Sequence, residues 1–470
     1  MFAGLALTMM TSCQNEFDEN GIHGNEGDAY MSLSIEMPNV ERGRAINGGD
    51  ETSAGTIGEQ KITGLKLFVF DAETGELQNG GNINFSMNDL KPNNPSVGTN
   101  NTTTYTIPSF KIKGGDKKVL VIVNPLEEKF TDKTTQNTMG QAMTLTPENI
   151  KSLSSDGKFM MTNVNRASDT NGMVTVTVDG TETNPTSVTV EVERVVAKIE
   201  EMTEDYSFTV KNTTSDVVEF QKVALINGNT KFYPIMKVRG NADNGANDYV
   251  EDPNFDNQNE TTVADFYSKE FRAETFEDAE NEYVKALVSE SKATEEGEKE
   301  QPENALFYTL ENTMTKDEQM NAYTTGLYYQ AQYKLGGQEG NVYKYGENLY
   351  KFSDLSNAAA GLGLNLNGLT DESTIDAFEA IGVTKYDNGV CYYKYWIRHI
   401  NNNNLSDMGV MEFAVVRNNH YQMTINSVKG IGENLPTNPE ITDPDEETDS
   451  FLDVKVKVLP WVVRQNNIDF

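Results

Sequence analysis

Alternation of apolar and polar residues is the strongest pattern in the chain. Met31, Leu33, Ile35 and Met37 alternate with Ser32, Ser34 and Glu36, and near the other end Leu452, Val454, Val456 and Val458 alternate with Asp453, Lys455 and Lys457. Period two puts successive side chains on opposite faces, so each stretch predicts a half-buried strand. The C-terminal one is richer in β-branched residues. Between them, strands are expected at 61–71, 103–113, 117–124, 173–178, 188–192, 194–200, 206–211, 305–312, 326–335, 391–400, 411–416 and 420–428. Residues 126–155 hold one or two short helices, and the best helix is 370–381, where Ile375, Phe378 and Ile381 recur three apart. Polar stretches at 240–262 and 276–304 are expected as long surface loops. Short strands at this spacing, without regular crossover helices, predict an all-β chain of sandwich type, with a second sandwich from about residue 200 to 432.

The last strand follows an awkward segment. Residues 433–450 (E-N-L-P-T-N-P-E-I-T-D-P-D-E-E-T-D-S) combine proline and acid with little to bury, the composition of a tether that does not fold. Asp445 and Glu446 within it are expected to be solvated. A strand on such a tether needs a sheet to join, either in its own domain or in another molecule.

Charge narrows the partners. Acidic residues outnumber basic ones 72 to 38, a formal charge of -34, which repels phosphate backbones and argues against nucleic acid. No run of about twenty apolar residues is present to span a bilayer as a helix. The start, F-A-G-L-A-L-T-M-M-T-S-C, has small residues before Cys13 after a short apolar run, which is how a bacterial lipoprotein signal looks, with Cys13 as the lipidated (palmitate-bearing) residue. The basic residues that usually open such a signal are missing, so a start upstream of Met1 is expected. With Cys13 acylated, Cys391 in C-Y-Y-K-Y-W is left alone and reads as a core residue.

Catalytic chemistry finds no support. The three histidines are His23 in the leader region and His399 and His420 on strand faces, and no H-E-x-x-H, C-x-x-C pair or G-x-S-x-G is present. No cofactor is expected. Structural calcium in the Asp- and Asn-rich loop 240–257 is conceivable in composition but has no EF-hand spacing behind it.

The two terminal strands carry the functional reading. Each presents four apolar side chains over seven residues, covering roughly 23 Å of groove, and so each fits the same slot. The first is joined to the body through V-E-R-G-R-A-I-N-G-G-D, a Gly-rich loop with Arg42 and Arg44 in which proteases cut. A cut there lets residues 14–44 leave, exposing sheet edges that the tail of a second molecule fills. Burying four to six such side chains is worth on the order of 10 kcal/mol before ordering costs. Donor and groove are different surfaces, so the contact repeats into an open filament. In the uncut chain the slot is expected to hold Met31 to Met37, leaving the tail free.

At this point the chain resembles the Bacteroidetes fimbrilins of the FimA/Mfa type, the subunits of type V pili, and within them the major shaft subunits of the short Mfa fimbriae. The resemblance rests on Cys13, on N-V-E-R-G-R-A, on Tyr308-Thr309-Leu310-Glu311-Asn312, on Arg417-Asn418-Asn419-His420-Tyr421-Gln422-Met423-Thr424-Ile425, and on the Pro- and Asp-rich tether followed by Val454 to Trp461 and a closing I-D-F. It implies two transthyretin-like β-sandwich domains with a few short helices and a C-terminal donor strand. The boundaries would be a lipoprotein signal at 1–13, a propeptide at 14–44 with its strand at 30–37, sandwiches at 45–200 and 201–432, a tether at 433–450 and a donor strand at 451–470. It implies cleavage between Arg44 and Ala45, with Arg42 a competing site, displacement of Met31, Leu33, Ile35 and Met37, and donation of Leu452, Val454, Val456, Val458 and Trp461. The implied partners are identical subunits, accessory, anchor and tip fimbrial proteins, host or bacterial surface receptors, and the outer membrane through the lipid before processing; the implied location is the cell surface. The competing reading is a monomeric surface lipoprotein, or a tip or accessory pilin, that binds glycan or host protein through Tyr328, Tyr329, Tyr333, Tyr392, Tyr393 and Tyr395.

Overall fold

The computed structural model describes residues 28–37, 53–78, 83–86, 91–93, 103–131, 133–155, 157–164, 172–239, 249–255, 266–267, 276–278, 283–287, 305–366, 368–404, 407–438, 444–446 and 451–462. Among them, strands dominate and fall into three principal sheets. The first has nine strands. Its order is Ile83–Ser86, Gly64–Asp71, Gly115–Val123, Met161–Asn163, Thr186–Arg194, Asp28–Met37, Thr103–Lys113 and Lys91–Asn93, with Val174–Val178 paired on Gly115–Val123. The second runs Ser53–Ala54, Leu452–Val462, Asn419–Val428, Val196–Glu201 and Leu306–Leu310. The third runs Ser207–Thr209, Val217–Ile226, Gly326–Lys334 and Val390–Trp396, with Val284–Ala286 on the side of Val217–Ile226. The chain passes from the first sheet to the second at Val195, between Thr186–Arg194 and Val196–Glu201.

The second and third sheets face each other. Tyr329 of the third donates its hydroxyl to Glu201 of the second, and Tyr395 reaches the Val454 carbonyl at 3.5 Å. Phe220, Val223, Leu225 and Leu327 meet Ile199, Tyr421, Met423 and Ile425 in one hydrophobic core that continues into the first sheet through Val195 and Val196. Alternation explains the placement: in Asp28–Met37 every second residue from Ala29 onward is buried, with Met31, Leu33 and Ile35 fully so.

Three expectations change. Residues 411–416 form no strand: Met411 adopts φ 61°, a left-handed turn, and its side chain joins Met236, Val238 and Val250 in a small cluster of its own. The predicted helix shrinks to Ile375–Glu379, because Thr374 caps it by accepting from the Ala377 amide. The longest helix among the described residues is instead Phe352–Leu362, an Ala-rich run stopped by Gly363 at φ 71°. That signal was readable, an Ala-rich stretch before a glycine.

The third change concerns the tail. It is not free in the uncut chain. Leu452–Val462 lies antiparallel to Asn419–Val428, from Val428↔Leu452 to Asn419↔Pro460. Nor is the tether before it wholly solvated. Glu433 exchanges two backbone hydrogen bonds with Tyr392, at 2.8 and 2.9 Å, and Asp445 and the Glu446 side chain are both 4% exposed. Composition forecasts how little such a segment buries by itself; it is silent on whether the body offers partners for its amides and carboxylates.

The burial of the N-terminal strand sets a measurable cost. Leu33→Ala should lower the stability of the uncut chain by about 2–5 kcal/mol in urea unfolding, whereas Lys457→Ala, on an exposed side chain, should stay within about 0.5 kcal/mol.

Candidate assembly site

The two terminal strands occupy different positions, and the difference is chemical. Asp28–Met37 is interior to its sheet. On one side it runs parallel to Thr186–Arg194, with Leu33↔Val188 and Ile35↔Val190; on the other it is antiparallel to Thr103–Lys113, with Leu33↔Ile107 and Ile35↔Tyr105. One register shift, between Met31 and Leu33, interrupts the second ladder. Withdrawing this strand divides the sheet and exposes two edges and the pockets of Met31, Leu33, Ile35 and Met37. Its first residues are clamped as well. The Tyr30 amide donates to the Gly180 carbonyl at 2.9 Å, and a Cβ on Gly180 would lie 2.6 Å from the Tyr30 carbonyl and 2.1 Å from the Thr186 amide nitrogen, so no side chain is tolerated there. Lys111 pairs with Asp28 at 2.6 Å.

The tail is closer to an edge strand. One side is paired along its length with Asn419–Val428; on the other, the pairing among the described residues is with the two-residue Ser53–Ala54, at Ser53↔Trp461 and Ala54↔Val462. Leu452 and Leu459 are buried, Val454 and Val456 are half-buried, and Lys455 and Lys457 face solvent. A strand paired on one side is released by breaking one ladder, while an interior strand must break two.

What holds Ser53–Ala54 against the tail is a set of side chains whose partnership the sequence does not show. Ser53 Oγ lies 2.6 Å from His420 Nδ1, and His420 Nε2 lies 2.8 Å from Glu200. Just beyond, Thr56 and Glu59 close a capping box on helix Ile57–Gln60. Glu59 is buried, accepting from Lys198 Nζ at 3.0 Å and Tyr308 OH at 2.6 Å, while its carbonyl accepts from Arg194 Nε at 3.0 Å. Burial works against its charged form, but the bonds from Tyr308, Lys198 and the Thr56 amide outweigh it and hold the carboxyl below its ordinary value. The T-x-x-E spacing of Thr56 and Glu59 was the available signal.

The two motifs that carried the family resemblance bind each other. Arg417 and Glu311, both fully buried, form a two-pronged ion pair, and Asn312 and Val415 exchange backbone hydrogen bonds at 2.8 Å. Asn418 sits at φ 57°, with its side-chain oxygen accepting from Arg194. Tyr421 OH accepts from the Val416 amide at 2.8 Å and contacts His399 Nδ1 at 2.7 Å. Both remaining histidines are therefore taken up in packing; His399 lies beyond the strand that was expected to contain it. Nearby Asp252 accepts from Asn229, Asn254 and Thr313, and burial pushes its carboxyl up to about 8. Of the loop considered for calcium, residues 249–255 are described, and Asp252 and Asn254 within them are buried. No group of three or more metal-ligating side chains occurs among the described residues.

The other site residues divide plainly. Cys13, Arg42, Arg44 and Ala45 lie outside the described residues, as do the side chains of Val458 and Trp461. Cys391 is fully buried, and burial pushes its thiol up to about 12, as a core cysteine requires. Tyr328, Tyr329, Tyr333, Tyr392 and Tyr393 are buried and Tyr395 is half-buried, so they build the sandwich interior and offer no aromatic platform to a glycan.

Comparison with known proteins finds one family match and several structural likenesses. Residues 384–467 match the family model "Major fimbrial subunit protein type IV, Fimbrillin, C-terminal". The matched stretch takes in the aromatic strand Val390–Trp396, the Arg417–Tyr421 junction, the tether and the tail strand, so this part of the chain is similar to a fimbrillin C-terminal region. The family so named is one of structural subunits, not of enzymes. No curated protein matches the chain. Among solved structures, a candidate cell adhesion protein from Parabacteroides distasonis is 13% identical, covering 92% of this chain and 100% of that one at TM-score 0.48. The tip fimbrial protein Mfa3 from Porphyromonas gingivalis is 15% identical, with 92% and 100% covered and TM-score 0.41. A fimbrilin (fimA) from Porphyromonas gingivalis is 17% identical, with 92% and 98% covered and TM-score 0.41. At such identities these are likenesses in outline only.

The buried ion pair at the motif junction makes a direct test. Arg417→Met leaves Glu311 charged and uncompensated and should cost about 3–5 kcal/mol in urea unfolding, with part regained on adding Glu311→Leu.

Proposed function

We propose that this chain is a structural pilin of a cell-surface fimbria that supports adhesion, exported as an outer-membrane lipoprotein acylated at Cys13. Arg-specific proteolysis, at Arg44–Ala45 or at Arg42, removes the N-terminal strand, and subunits then polymerise by donation of the C-terminal strand. The chain divides for this purpose into an N-terminal transthyretin-like sandwich ending near residue 200 and a C-terminal one to residue 432.

One observation supports this reading above the others: the two terminal strands are held unequally. The strand beside the candidate cut is an interior strand with four large side chains in the core. It cannot leave while it remains covalently attached, and once cut it leaves behind two open ladders and a set of pockets. Among the described residues the tail is paired along one full ladder and one two-residue ladder, and it can move to another molecule for a smaller cost. Filling the vacated groove restores two ladders and buries side chains worth about 1.5–3 kcal/mol each. The joined subunit then offers its own tail beyond, so growth continues in one direction. The fimbrillin match over residues 384–467, which contain the tail, agrees with this role. A donor-capable tail favours a shaft subunit, with identical subunits as its main partners and anchor, accessory and tip proteins at the ends.

Purified uncut chain treated with an Arg-specific protease should lose residues up to 44 and convert to SDS-resistant multimers on unboiled gels, with filaments in electron micrographs. A chain lacking 452–470 should be cut equally well and form none, yet should cap growth of intact subunits by accepting their tails. Clean removal of residues 28–44 with no multimer at any concentration would sink the proposal.

A further inference from the structure

We propose that residues 444–446 form a pH-gated strap that holds the tail on its own sheet and releases it as the medium becomes less acidic. The proposal rests on the reading of the tail as a donor strand and adds a control on its release.

The strap is built from three contacts just before the tail. Pro444 bridges the backbone of Met320, and the Asp445 amide donates to the Gln319 carbonyl at 3.1 Å. Thr324 donates its hydroxyl to Asp445 Oδ2, while Oδ1 has no hydrogen-bond partner among the described residues. Glu446 pairs with Arg398 at 2.7 Å. The tail begins six residues after Asp445, and the Lys429 amide holds Phe451 at 2.7 Å. While the strap is seated, the start of the tail is held over Asn419–Val428.

Charge makes the strap conditional. Among the described residues Arg398 is the cation facing this pocket, and it already binds Glu412 at 2.6 Å as well as Glu446. Glu412, Asp445 and Glu446 are each almost fully buried, so three carboxyls share one guanidinium. The turn at 319–324 supplies no further cation; Lys316 at its exposed start is engaged with Asp407. Tyr395 lies in the field of Arg398 and Glu446 and stays protonated over the range considered, its hydroxyl pushed up to about 12 by burial. One of the three carboxyls is therefore best kept neutral, and Asp445, with no direct ion pair, is that one. Burial pushes it up to about 8; the Thr324 bond and Arg398 pull against that shift and Glu446 adds to it.

The sign follows by linkage. The seated strap binds a proton at Asp445 up to about pH 8, whereas the free carboxyl holds one only up to its ordinary value of 3.8. Seating is therefore strongest below 3.8, weakens by about tenfold per pH unit between the two values, and is constant above the upper one. Acid locks the tail, and neutral to mildly alkaline conditions ready it for donation.

Hydrogen exchange of the uncut full chain tests this without any polymer. After correction for intrinsic rates, the Asp445 amide, which donates to the Gln319 carbonyl, should lose protection by about tenfold per unit between pH 5 and 7.5 and level off above pH 9, with the tail following less steeply. Asp445→Asn, which keeps the Thr324 bond and cannot ionise, should show a flat profile at the acid-like level of protection. Glu446→Gln should keep the slope. A wild-type profile that is flat, a slope that survives in Asp445→Asn, or a slope lost only in Glu446→Gln would overturn the proposal. Failure of cleaved subunits to polymerise would instead count against the donor-strand reading and leave these exchange profiles unchanged.

Discussion

The structure depends on one strand being paired on both of its edges. Asp28–Met37 is the seam of the nine-stranded sheet, parallel to Thr186–Arg194 on one side and antiparallel to Thr103–Lys113 on the other. Its backbone amides and carbonyls are paired along both edges, and its apolar side chains close the core from within. Any strand that replaced it would have to meet both ladders and fill the same pockets. The valines of the tail are smaller than the Met, Leu and Ile they would follow, so exchange needs the covalent cut as well as a competing strand. β-Branching favours a strand, but volume decides how well it fills a pocket.

A second constraint keeps the body rigid while the ends move. Glu311 and Arg417 lock the strand Leu306–Leu310 to the chain entering Asn419–Val428, and Arg194 reaches across to Asn418 and Glu59 where the first sheet hands over to the second. A buried pair of this kind contributes little net stability over apolar packing, but it tolerates no loss of a single partner. Its use here is positional. It fixes the strand on which the tail rests, and with Glu59 it fixes the segment that covers the tail's far end.

Much of the architecture was legible in the residues. Alternation located the terminal strands and long internal ones such as Gly115–Val123 and Gly326–Lys334, but it missed Val217–Ile226 in the third sheet and several short strands. The reading of Cys391 as a core residue agrees with its burial, whereas His399 lies beyond the strand expected to hold it. The failures have physical causes. Residues 411–416 have strand-like composition, yet a left-handed Met411 turns the chain there to serve the small cluster beside Met236. The tyrosines have a surface-binding composition but lie inside, because acids such as the buried Glu201 and the half-buried Asp216 accept from their hydroxyls. Of the assembly site, the strands themselves were visible in the pattern; Ser53, Glu59, Arg398 and Asp445 were not, since each matters only through a partner far away in the chain.

By itself, then, the sequence determined that both chain ends are strands with four-residue apolar faces, that one stands beside an arginine-bearing loop and the other beyond an acidic tether. Those are local properties, set by side-chain alternation and backbone propensity. Which strand is interior and which lies near an edge, and whether the tail waits free or seated, was decided only by the tertiary structure. The reason is that hydrogen-bond ladders and burial join residues hundreds of positions apart, as Ser53 is joined to His420, and no periodicity in the chain encodes which neighbour a strand will find.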